Sequence, residues 1–307
     1  METVAVTLPK FSSSEEVSYK NCRLAHHFEY DLGYRPKLTA WNLSTGIGYH
    51  EGMEAYYKGY TMRTVKRTIK RWAEARWQEY EDLMGGAKKV DGGQRVSYIK
   101  QVELVNAMVV GYVKWVNEEG LDEDWETVSV EEKLYVELEG AATVLPMKLD
   151  LIQRNRRTER LRTLDHKTRA QFTHDMTPYQ LSEQNANYAL GVFAAYGEWP
   201  TEMAYREARK IVPSNRSKPP YFREILVALT QSEAIARAEE YIIVSNERMN
   251  ENRAIYANPS ACCGSWKNDW RVPCLKVHQG MDPLEALEDS DRFSIQDAYA
   301  RYDEETR

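Results

Sequence analysis

Hydrophobic and polar positions change their spacing several times along this 307-residue chain, and each change predicts an element. Residues 1–18 are polar and serine-rich and are expected to form an arm or a short extended segment. From Ser18 to Tyr30 aromatic and aliphatic residues recur at helical spacing, and Gly33 and Pro36 end the run. Ser44 to Tyr57 predicts a second helix that Ser44 or Thr45 can cap, with Ile47, His50 and Glu54 on one side. The helical period returns from Thr61 to Leu83. After a loop bounded by Gly85 and Gly93 it runs again from Val96 to Val116. Asn117 to Asp124 reads as an acidic turn.

Near Glu131 the period drops to two. Leu134, Val136 and Leu138 alternate with Lys133, Tyr135, Glu137 and Glu139, as in a half-buried strand. Met147–Ile152 and Arg162–Thr168 predict two more strands, joined by the guanidinium-rich turn from Arg154 to Arg160. A helix is expected from Thr177, which can cap it, with Pro178 in first position and Gln180 completing a capping box, to about Tyr196. A strand over Met203–Val212, a loop over Ser214–Pro220 and a helix from Tyr221 to Met249 follow. Beyond Met281 the chain is acidic and polar and is expected to be loosely ordered. No internal repeat is present.

Composition narrows the class. Hydrophobic residues make up 42% and charged residues 29%, as in a globular protein with a sizeable core. No apolar run approaches the roughly 20 residues that span a membrane, and the first residues lack the layout of a signal peptide. A cytoplasm-like compartment is therefore expected. The formal net charge of -6 gives no global attraction for nucleic acid, so any such attraction must be local.

The polar residues of the predicted strands carry the chemistry. Residues two apart on a strand share a face, so Asp165 and Lys167 point together and His166 points away. If the strands pair through the basic turn, Asp150 joins them. Two carboxylates and an ammonium suit Mg²⁺ or Mn²⁺ and in-line displacement at a phosphodiester. The bland alternative is a strand pair with polar residues on its exposed face. On the following helix Gln184 and Tyr188 lie four apart on one face, where they can meet phosphate, sugar or base, or serve as surface and core filler. Arg154, Arg156 and Arg157 in the turn are candidate phosphate contacts. The recurring cations from Arg63 to Arg76 fit either a phosphate-facing stripe or a solvated helix face.

On these residues the chain resembles the PD-(D/E)xK nucleases, in particular the RecB-like branch with its CRISPR-associated and phage exonuclease members. Asp150 matches the first metal-binding aspartate, and Leu164-Asp165-His166-Lys167-Thr168 matches the D-x-K half. Gln184 and Tyr188 match the branch's Q-x-x-x-Y motif, and His50, in Gly46-Ile47-Gly48-Tyr49-His50-Glu51-Gly52, matches its helical histidine. The resemblance implies an α/β, restriction-endonuclease-like core, a short mixed sheet flanked by helices, with helical additions at both ends. It implies a single domain over residues 1–280: a helical part over about 40–125, a core over about 128–212, and a C-terminal helix with a cysteine segment over about 220–280. Residues 281–307 would be an acidic tail.

It further implies that His50, Asp150, Asp165 and the His166 carbonyl bind Mg²⁺ or Mn²⁺, that Lys167 is catalytic, and that Gln184 and Tyr188 position DNA. The implied activity is end-directed hydrolysis of DNA in recombination, repair or phage DNA processing, with a recombination or single-strand-annealing protein as partner. The alternatives are a structure-selective or nicking endonuclease and an inactive DNA-binding module. A glutamate at the start of the preceding strand, Glu131 or Glu132, could orient the site or simply be solvated at the strand edge.

The four cysteines are Cys22, Cys262, Cys263 and Cys274. Part of the family ties its two ends together through a [4Fe-4S] cluster, with one ligand near the start and three after the core, which is the distribution here. The adjacent Cys262-Cys263 departs from the usual spacing, and His278 could replace a ligand. Zinc binding and buried thiols without a metal fit the same residues.

Overall fold

The structure, a computed structural model, describes residues 8–36, 41–86, 92–214, 217–263, 269–289 and 292–303. At its centre is a five-stranded sheet of β2 (Trp125–Glu137), β3 (Val144–Asn155), β4 (Leu161–Arg169), β5 (Glu202–Arg209) and β6 (Phe222–Ala228), side by side in that order. All neighbours are antiparallel except β4 and β5. A parallel pair needs a crossover, and the chain makes it through α6 (Thr177–Gln180) and α7 (Glu183–Tyr196).

Helices cover both faces, which explains why β3 reads as an apolar run rather than a strict alternation. On one face Leu145, Met147, Leu149, Met203 and Tyr205 pack with Tyr188 and Val192 of α7, with Tyr241 of α8 (Gln231–Met249), and with Tyr19 of α1 (Ser13–Asn21). A second core lies among α3 (Trp41–Tyr57), α4 (Met62–Leu83) and α5 (Gly92–Glu119), built on Tyr49, Met53, Val65, Ile69, Met108 and Tyr112. Glycines set how closely these helices approach: a Cβ on Gly48 would stand 2.4 Å from the Trp72 ring, and one on Gly52 2.6 Å from Val109.

A third core joins the two ends of the chain. Cys22, Leu24 and Phe28 pack with Trp270, Cys274, Leu287 and Phe293. Above them β1 (Tyr34–Pro36) pairs antiparallel with β7 (Phe293–Ile295). Cys22 and Cys274 are thus buried in one apolar cluster, and Cys22 Sγ accepts the Asn258 N–H at 3.3 Å. The side chains of Cys262 and Cys263 lie outside the described residues.

Six expectations from the sequence are corrected here. The N-terminal polar stretch becomes helical at Ser13, where Ser12 caps α1, and the run to Tyr30 breaks at Cys22, whose extended φ and ψ separate α1 from α2 (Arg23–His26). The strand read from Glu131 begins at Trp125. The helix from Thr177 is two helices parted at Leu181–Ser182; Thr177 lies inside α6 rather than at its cap. The stretch from Tyr221 to Met249 is strand β6 and then α8, divided by Thr230, which forms a capping box with Glu233. Lastly, the segment beyond Met281 is not loose throughout: Leu287 and Phe293 are buried and β7 is paired.

Candidate active site

The site lies where the sheet forks. The β3–β4 ladder runs from Arg154↔Leu161 to Leu151↔Leu164 and stops. Beyond it β3 continues beside β2, and β4 continues beside β5 as far as Arg169. The His166 N–H has therefore lost a strand carbonyl, and Oδ2 of Asp150 accepts it instead at 2.8 Å. A buried N–H must find a partner, so the end of the ladder itself fixes the Asp150 carboxylate. On the other side of β3, the pairs Val130↔Leu151 and Glu132↔Leu149 place Glu131 opposite Asp150. Glu131 has φ of +53°, a left-handed conformation unusual for a residue with a side chain, and the kink turns its carboxylate inward. It is 7% exposed, so it is not a solvated strand edge.

His50 reaches this fork from α3. Gly48 and Gly52 seat α3 against α4 and α5, and His50 Nδ1 comes to 3.2 Å from Asp150 Oδ2. One ligand atom from each of His50, Glu131 and Asp150 lies within 4.8 Å of the other two. Among the described residues this is the group of histidine, cysteine and carboxylate side chains able to hold a metal ion. The expected set was His50, Asp150 and Asp165; in the structure Glu131 joins His50 and Asp150, and the Asp165 carboxylate pairs with Lys167.

Asp165 and Lys167 do share a face. Lys167 Nζ is 2.8 Å from Asp165 Oδ2, and α7 brings Gln184 between them: its Nε2 donates to Asp165 Oδ1 at 2.7 Å and its Oε1 accepts from Lys167 at 3.1 Å. Asp165 Oδ2 is buried, and the Lys167 ammonium is its close partner. Tyr188, expected to meet DNA, is buried and donates from its hydroxyl to the Lys148 carbonyl at 3.1 Å. It therefore braces β3, and it also lines a cleft beside Lys167 and Gln184. His166 points away from Lys167 into the helical side, under Tyr49, Tyr57 and Tyr112, with Nε2 3.1 Å from the Tyr112 hydroxyl. Behind it the buried Arg206 donates to Tyr57, Tyr112, Asp122 and Glu224 at 2.6–3.1 Å, which fixes that floor.

Charge is distributed unevenly. Burial disfavours charge on His50, but Asp150 outweighs it, with Asp165 and Glu131 adding, and lifts the imidazole to about 9. Burial and the nearby Asp150 push Glu131 up to about 7, against the pull of Lys148, whose ammonium is 2.5 Å away. Burial would raise Asp150, yet the His50 and His166 side chains hold it well below the usual carboxylate range. Burial raises Asp165, and Lys167 only partly offsets this. Excess carboxylate next to a protonated histidine is the donor chemistry of a hard divalent cation, which would take the place of the histidine proton. The residues present fit such an ion.

The turn arginines are not part of this assembly. Arg154, at the end of β3, and Arg156 and Arg157, in the turn, lie roughly 13 Å or more from Asp150 at the usual rise along a strand. Arg154 is held by Glu198 at 2.8 and 3.1 Å, and Arg156 approaches Glu126 at 3.9 Å. On α4, Lys70 and Arg76 pair with Glu74 and Glu79 of the same helix. Glu131 and Lys148 were the contributors hardest to find. The signal available was Glu131-Glu132 at the strand before Asp150; the inward kink that selects Glu131 has no local motif.

A mixed five-stranded sheet flanked by helices, with an aspartate on one central strand and Asp-x-Lys on the next, is a restriction-endonuclease-like core. Residues 10–265 match the profile of the PD-(D/E)XK nuclease superfamily, and the chain belongs to that superfamily. Its members use divalent metals. No curated protein matches the chain significantly. Among solved structures it is similar to a Eubacterium rectale protein provisionally designated an exonuclease, with 10% identity and a TM-score of 0.45 over 78% of this chain and 82% of that one. It is also similar to SSO0001, with 17% identity and a TM-score of 0.27 over 52% and 73%. No helix among the described residues is long and apolar enough to cross a membrane.

Proposed function

We propose that this protein is a Mg²⁺- or Mn²⁺-dependent deoxyribonuclease that digests DNA from its ends. The observation that carries the reading is the convergence of His50, Glu131 and Asp150 beside the Asp165–Lys167 pair. His50, Glu131, Asp150 and Asp165 would hold the ion, which supplies charge stabilisation to the phosphoryl group in flight. Lys167, with Nζ 2.8 Å from Asp165, orients the attacking water and offsets negative charge on the phosphate. Gln184 keeps both side chains in place through its two contacts. The order His50, Asp150, Asp165-x-Lys167, Gln184-x-x-x-Tyr188 supports the RecB-like branch, and with it a setting in recombination, repair or phage DNA processing. In this reading residues 1–280 act as one nuclease domain.

The test compares linear and covalently closed circular DNA with Mg²⁺ or Mn²⁺, for wild type and Lys167→Ala. Loss of linear DNA alone, abolished by the substitution, supports the reading. Cutting of circles replaces end-directed action with an endonuclease. Wild type and variant equally inert in every metal removes the enzyme.

A further inference from the structure

Directly beside the Asp165–Lys167–Gln184 contact is a cleft of about 600 Å³. That is within the range of roughly 300–1,000 Å³ typical of small-molecule sites, enough for one nucleotide and too small for a duplex. Its lining has two characters. Lys148, Lys167 and Gln184 belong to the side next to the carboxylates, while Val17, Met147 and Tyr302 supply apolar and aromatic surface. A nucleotide has the same division, a charged phosphate joined to a flat base. The one carboxylate in the lining, Glu183, is neutralised by Lys20 at 2.9 Å and faces Arg237 at 3.5 Å, so it opposes a phosphate only weakly.

The source of the wall matters. The superfamily match ends at residue 265, and Tyr302 lies beyond it, on α11 (Ala300–Asp303). Two contacts hold this last segment against the core: the Tyr135 hydroxyl donates to the Tyr302 carbonyl at 2.7 Å, and the Tyr299 hydroxyl to the Lys10 carbonyl at 2.8 Å. Across the cleft stands α1, with Ser13, Ser14 and Val17. The C-terminal return thus gives a groove at the reaction centre a wall that the superfamily core alone does not supply.

We infer that this cleft is the subsite for the terminal nucleotide of a DNA strand, and that Tyr302 bounds it so that a continuous strand cannot pass through. This rests on the nuclease reading above and deepens it: the pocket, rather than the metal ligands, makes cutting depend on an end. The phosphate of the bound residue lies toward Lys148 and Lys167, and its base against Val17 and Tyr302.

The full-length chain tests this with deoxyadenosine 5′-monophosphate as the binding probe and labelled single-stranded oligonucleotides, linear and circular, as substrates. Val17→Trp fills the cleft without touching the metal ligands; Tyr302→Ala opens the wall, and Tyr302→Phe keeps it. Circular dichroism confirms that each variant is folded. Expected are release of mononucleotides by wild type and Tyr302→Phe, at least tenfold weaker probe binding and slower end digestion in Val17→Trp, and longer products with cutting of circular single strands in Tyr302→Ala. If Lys167→Ala abolishes hydrolysis while Val17→Trp and Tyr302→Ala match wild type in probe affinity and product length, the subsite falls and the nuclease stands. If wild type cuts no DNA yet binds the probe in a manner that Val17→Trp weakens, the pocket stands and the nuclease reading falls.

Discussion

Gln184 Nε2 donates a 2.7 Å hydrogen bond to Oδ1 of Asp165, while its Oε1 accepts from Lys167. One amide thereby fixes the spacing of the two polar side chains on β4. Gln184→Leu should leave the fold intact but release both. Partners of this kind typically contribute about 10–100-fold to metal affinity or activity. Calorimetric titration with Mn²⁺ alongside turnover measurements would show it; unchanged values for both would remove Gln184 from the site.

Lys167 and Asp150 should fail differently. Lys167→Ala removes the ammonium but no proposed metal ligand, so turnover should fall about 10²–10³-fold while Mn²⁺ still raises the melting temperature. Asp150→Asn should lose both activity and the metal-induced rise, because Asp150 meets His50 and also holds the His166 N–H. A variant Asp150→Asn still stabilised by Mn²⁺ as wild type is would refute its role.

Gly48 links packing to the site. A Cβ there would meet Trp72 ring atoms at 2.4–2.8 Å, two residues before His50. Gly48→Ala should destabilise by about 1–3 kcal/mol as α3 is pushed from α4, less the gain in helix propensity, and should weaken metal binding as His50 shifts. Gly92→Ala on α5, where a Cβ meets nothing within 4 Å, is the control and should be neutral or stabilising. Urea denaturation of the two variants gives the comparison.

Asp31 governs acid stability. Burial would raise its carboxyl, but the His27 hydrogen bond, Arg248, His26 and Arg253 together bring it down to about 2. The folded value is below the unfolded one near 3.8, so the stabilisation is complete above about pH 4 and is lost as pH falls toward 2. Solvent reaches part of the group, which trims the contribution to about 1 kcal/mol. Asp31→Asn should cost that much at pH 7 and nothing near pH 2. A constant difference across the range would contradict this assignment.

The sequence was most informative where chemistry and period coincide. Asp165 and Lys167 on one face, with His166 opposite, follow from strand alternation alone, and Gly46 to Gly52 marked the helix that carries His50. Three features were hidden because they depend on contacts between distant segments. Glu131 turns inward only through the kink in β2. Gln184 and Tyr188 have helical spacing suited to a ligand face, but tertiary packing places one on Asp165 and the other on the Lys148 carbonyl. Strand β6, Phe222-Arg-Glu-Ile-Leu-Val-Ala, runs straight into a helical pattern; its pairing with β5, from Ala208↔Phe222 to Glu202↔Ala228, overrides the local preference.

The pairing of Tyr34 with Ile295 in the small β1–β7 sheet has a consequence for how the protein is made. Strand β1 is made long before β7 and must wait for its partner, while the apolar surfaces of Leu24 and Phe28 wait with it. Contacts of such sequence separation form late and slowly. During synthesis the completed nuclease core would carry an exposed, sticky N-terminal flank, and closure of that flank by the C-terminal return would also set the Tyr302 wall in place. Maturation of the fold and maturation of the cleft would then be one event.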